Sequence, residues 1–171
     1  MSQFDTATAV SETEARAETR ISVVNYSAEE VIRQFLALYL SLNFEEELSF
    51  IGVGRLSFFR RRKCIREFNA LAIALWELAL QKSFPDQAAE FFAALREDAR
   101  FVGSGREAEK LVARVDAYAE LLKLRKDADF LPVAEHMAGL LSRSARDFAR
   151  LRLKLSLSIR SLYTLIFDKL V

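Results

Sequence analysis

FFRRRKCIREFNALAIALWELAL, residues 58–80, joins four consecutive cations to the most apolar helix-like stretch of the chain. At about 100° per residue, Phe58, Ile65, Phe68, Ala72, Leu75 and Ala79 fall on one face, and Ile73, Trp76 and Leu80 widen it. An apolar arc this wide needs neighbours on most sides. The stretch therefore predicts the central helix of a bundle, running from Ser57 to about Ser83. Its most apolar part, Ala70 to Leu80, includes Glu77 and is much shorter than the about twenty residues of a membrane span, so a core helix and no membrane span are expected.

Working outward, Ser27 and Glu30 have capping-box spacing ahead of Val31, Ile32, Phe35, Leu36, Leu38, Tyr39, Leu40 and Leu42, which predicts a helix over 28–43. Glu45, Glu46 and Glu47 read as a solvated helix start, and Gly52 and Gly54 as a turn. Beyond Pro85, Phe91, Phe92, Leu95 and Phe101 predict a helix over 86–101, and after Gly103-Ser104-Gly105 a stripe of Leu111, Val115, Tyr118 and Leu122 predicts another over 106–126. Pro132 suits a first helical turn. From there to Leu170 the chain reads either as one long helix or as one bent near Gly139 or Ser142 to Ser144.

Leu151 to Arg160, LRLKLSLSIR, alternates strictly in twos, the pattern of a half-buried strand. Leu is a strong helix former, the flanking sequence is helical, and the chain offers little to pair with a strand, so we read it as helix.

The inventory of reactive residues is thin. His136 is the sole histidine, which rules out a Ser-His-Asp arrangement or a two-histidine metal site within one chain. Too few residues follow it for the two helices that come after a globin's proximal histidine. Cys64 stands alone and cannot form an intramolecular disulfide. Glu77 falls on the polar side of its helix, near the angle of Arg66. No catalytic residue, cofactor or metal site is expected, and the chain reads as non-enzymatic.

Charge is segregated although its net value is +1: residues 1–47 hold nine acids and three bases, residues 48–66 six bases and no acid, and residues 143–171 seven bases and two acids. Arg60, Arg61, Arg62, Lys63 and Arg66, interleaved with Phe58, Phe59 and Phe68, have the composition of an anion or nucleic-acid contact. Helical spacing spreads those cations around the axis, however, and places the phenylalanines at core positions. The last helix offers a second surface. Phe148, Leu151, Leu155, Ile159, Leu162 and Ile166 form a core stripe, whereas Leu153 and Leu157 fall among Arg146, Arg150 and Lys154 on the other side.

These readings converge on an all-α, single-domain bundle of five or six helices, mostly up-and-down, with a long C-terminal helix. Residues 1–24 are expected to be a loosely held segment and 25–171 the bundle. The expected function is that of an interaction or regulatory protein, self-associating or binding a protein partner through Leu153, Leu157, Arg146, Arg150 and Lys154. The alternative is a module binding nucleic acid through Arg60–Arg66, or an apolar ligand among the fourteen phenylalanines. The N-terminal MSQFDTATAV lacks the basic and apolar regions of a secretory signal, so a cytoplasmic location is expected.

Overall fold

A computed structural model describes residues 27–98, 105–124, 129–142 and 144–170. Residues 1–24, expected to be loosely held, lie outside the described residues. Among the described residues seven helices pack into one helical domain and there is no strand.

The first, α1 (Ala28–Ser41), starts where its capping box dictates: the Ser27 hydroxyl accepts from the Glu30 amide at 3.2 Å, and the Glu30 carboxylate accepts from the Ser27 amide at 3.3 Å. The short α2 (Glu45–Phe50) carries three glutamates in its first turn, where they complement the positive end of the helix dipole. Gly52, at φ 81°, then reverses the chain and lets the Val53 amide reach the Leu48 carbonyl at 2.8 Å.

α3 (Phe58–Ser83) is the central helix, with α4 (Ala88–Glu97), α5 (Arg106–Lys123), α6 (Leu131–Leu141) and α7 (Ala145–Leu170) all packed against it. From Cys64 to Leu80 it is buried around most of its circumference. Trp76 stacks on Phe35 of α1 at 4.3 Å between ring centroids and meets Phe92 of α4 at 6.3 Å, while Phe68 stacks on Phe44 at 5.1 Å. The aromatic residues thus fill the core ring against ring.

Some boundaries differ from expectation, and α1 already ends at Ser41 rather than at 43. α4 begins at Ala88 because the residues after Pro85 form a turn, in which the Gln87 and Ala88 amides both donate to the Phe84 carbonyl, at 3.1 and 2.8 Å. It ends at Glu97, and Phe101 lies outside the described residues. α5 ends at Lys123. The C-terminal stretch takes the second of its two expected forms and makes two helices: Ser142 is extended (ψ 155°), and the Ser144 hydroxyl accepts the Asp147 amide at 3.1 Å to start α7 afresh. This break and α2 raise the helix number to seven. Leu151 to Arg160 is helical throughout, so leucine's helix preference and its flanks override the two-residue alternation.

Phe58 and Phe59, at core spacing, are exposed. Burial along α3 begins only at Cys64, so its first turn projects beyond the helices that cover the rest.

Candidate functional site

Along the start of α3, 100° spacing turns the basic cluster outward in several directions, and packing then uses most of it. Arg60 donates to the Leu141 carbonyl at 3.4 Å and lies 3.5 Å from the Asp147 carboxylate, and Lys63 donates to the Leu140 carbonyl at 2.6 Å. Those carbonyls end α6 and have no partner within their own helix, so two cations close the α6–α7 corner from outside. Arg61 pairs with Glu45 at the start of α2. Lys110 lowers the pKa of Glu107 on α5, Arg66 is near enough to add a smaller effect, and Arg62 is exposed. Arg60 and Arg61 are thus drawn into contacts with other elements, while Arg62 and Lys63 are exposed.

Glu67, one turn further on, is not among the residues singled out in the sequence and is the one buried acid among the described residues. Its carboxylate accepts from the Tyr118 hydroxyl at 2.8 Å and faces the Arg114 guanidinium at 3.2 Å, both from α5. Burial, with the neighbouring Glu67 charge, pushes the Tyr118 hydroxyl's pKa well above its ordinary value. Burial likewise pushes up the Cys64 thiol, with Arg60 and Lys63 opposing it. Since Tyr118 and Arg114 occupy both Glu67 oxygens, the arrangement clamps α3 to α5 rather than awaiting a substrate. A signal was legible: of its four helical neighbours at three- and four-residue spacing, Cys64, Ala70 and Leu71 are apolar and Lys63 is the exception. His136 is exposed, its ring edge-on to Tyr118 at 5.7 Å.

Glu77 is half-buried rather than on an open polar face, between α3 and α5 beside Leu122 and Lys123. Desolvation raises its pKa, with Arg96 and Lys123 opposing. Among the described residues no group of three or more His, Cys, Asp or Glu could hold a metal ion, and no helix is long and apolar enough to cross a membrane.

The outer face of α7 is built differently. Leu151, Leu155, Ile159, Leu162 and Ile166 are buried against α3 and α6, whereas Leu153, Leu157 and Leu165 are 61%, 57% and 42% exposed. By helical rotation these three share an arc of about 120° with Arg146, Arg150, Ser161 and Asp168. Lys154 is drawn aside: it donates to the Phe50 carbonyl, and its ammonium lies 4.8 Å from the Phe50 ring centre, tying α7 to α2. Toward its C-terminus the arc borders a groove of about 370 Å³ lined by Leu38, Leu42, Phe44, Ser161, Leu165 and Lys169.

Of the residues singled out in the sequence, Leu153, Leu157, Arg146 and Arg150 therefore share one exposed helix face, and Lys154 flanks it. Comparison with protein-family models, with curated proteins and with solved structures finds no match to this chain.

Proposed function

We propose that this protein is a non-enzymatic interaction protein that self-associates by pairing the outer face of α7 with the same face of a second copy. The observation that carries the reading is the exposure of Leu153 and Leu157 on the side of α7 opposite its buried stripe, continued by the half-exposed Leu165 at the edge of that stripe. A helix apolar on two faces is built to be covered on both.

The order of residues along that face suits a two-fold partner. An antiparallel pairing centred on position 159 sets Leu153 against Leu165, Leu157 against Ser161, and Arg150 against Asp168 of the second copy. One face thereby supplies both apolar contacts and opposite charges to itself. Leu153 of the second copy would arrive at the mouth of the groove beside Leu165.

Light scattering on the purified chain tests this. The wild type should be a dimer, and the pair Leu153→Asp and Leu157→Asp should give a folded monomer, because neither side chain belongs to the core. A monomeric wild type, or a double variant that stays dimeric, would remove the proposal.

A further inference from the structure

Leu56 is 101% exposed, Phe59 88% and Phe58 66%, all at or just before the first turn of α3. The two rings meet edge to face at 5.9 Å and form a convex knob rather than a groove. Residues 48–66 contain six bases and no acid; Arg55, Arg62 and Lys63 are exposed, and Lys63 is turned to the Leu140 carbonyl, which leaves Arg55 and Arg62 beside the knob. The first turn of α3 contains no acid and Ser57 makes no side-chain cap, so the positive end of the helix dipole opens in the same place. The nearby acids are largely engaged: Arg61 takes Glu45, Arg60 lies 3.5 Å from Asp147, and Glu46 lines the depression next to Arg55.

We propose that this knob docks the protein on an anionic phospholipid bilayer. Leu56, Phe58 and Phe59 enter the boundary between headgroups and acyl chains, while Arg55 and Arg62 meet headgroup phosphates. Aromatic and leucine side chains with flanking cations suit that boundary, where one end is apolar and the other negatively charged. A bilayer also yields around a convex knob and needs no shaped cavity. A second copy placed across the knob by a two-fold axis would instead bring Arg55 and Arg62 toward their own counterparts, a like-charge arrangement.

The test uses the full chain with vesicles of phosphatidylcholine, alone or with about one third phosphatidylserine. The protein should sediment with the anionic vesicles and release at high salt. Leu56→Ser with Phe59→Ser should weaken binding about tenfold or more, with an unchanged circular-dichroism spectrum, and Arg55→Glu with Arg62→Glu should do the same. In a Phe59→Trp variant the emission should shift to the blue on anionic vesicles, against the constant background of buried Trp76. Leu153→Asp with Leu157→Asp should still bind, which separates this proposal from the pairing of α7. Failure to sediment at low salt would overturn it, as would serine variants that bind like wild type or an unshifted Phe59→Trp spectrum. Two further results would reassign the knob and equally overturn the proposal: an oligomer that the serine variants dissociate, or preferential capture of a single-stranded oligonucleotide that they abolish.

Discussion

The Tyr118 hydroxyl donates to the Glu67 carboxylate at 2.8 Å across the α3–α5 interface, and both side chains are buried. A buried carboxylate is costly unless its oxygens are partnered, so this bond and the Arg114 contact fix how α5 lies on α3. Tyr118→Phe should therefore destabilise by about 1–3 kcal/mol, the penalty of leaving one carboxylate oxygen unpartnered. Because the folded protein holds the Tyr118 proton more tightly than the unfolded chain does, the associated stability is complete below about pH 10 and is lost as pH rises beyond it. Urea unfolding across alkaline pH should show a shallower decline in Tyr118→Phe than in wild type. An equal decline in both would show that Tyr118 ionises freely in the fold.

Glu77 leads to the opposite expectation for a substitution. Burial raises its pKa, so its contribution to stability is largest at acid pH and diminishes as pH rises through its folded titration. Glu77→Gln removes a charge that is unfavourably desolvated at neutral pH. It should raise the melting temperature at pH 7, and the difference from wild type should vanish near pH 4. A Glu77→Gln protein that melts lower than wild type at pH 7 would show that the attraction of Arg96 and Lys123 exceeds the desolvation penalty.

The antiparallel register proposed for α7 admits a charge-exchange test. Arg150→Asp alone, or Asp168→Arg alone, sets like charges opposite each other and should weaken the dimer by roughly fivefold or more, whereas the combined variant should recover it. Dissociation constants from sedimentation equilibrium measure this. Additive weakening in the combined variant would exclude this register while leaving other pairings of the same face open.

Gly52 and Gly54 should respond differently to alanine. Neither has a heavy atom within 4 Å of an added Cβ, but Gly52 sits at φ 81°, a conformation that side chains disfavour. Gly52→Ala should destabilise by about 1 kcal/mol, while Gly54→Ala should be neutral or stabilise by up to about 1 kcal/mol through a less flexible unfolded chain. Chemical denaturation resolves the two.

Helical periodicity, the Ser27–Glu30 box and the apolar run ending at Leu80 made α1, α3 and α5 legible, with their starts within a residue and their ends within about three, because each rests on interactions within a turn or two of the chain. The same local arithmetic separated the buried stripe of α7 from Leu153 and Leu157. It misplaced Phe58 and Phe59, since wheel position says which way a side chain points and not whether another helix reaches that far. Glu67 went unnoticed for a related reason: its place among apolar neighbours is visible in the sequence, but the partners that make it tolerable come from about fifty positions away.

What the amino-acid sequence determined alone is the helical class, the central role of residues 58–83 and the two-faced character of the last helix, all properties of spacing along one axis. Tertiary packing alone decided what the basic cluster does. Arg60 and Lys63 close the end of α6, Arg61 pairs with Glu45, and Leu56, Phe58 and Phe59 are left uncovered at one corner. The physical reason is that a cation's partner and an apolar side chain's cover depend on where separate helices end in space, which no pattern within a single helix encodes.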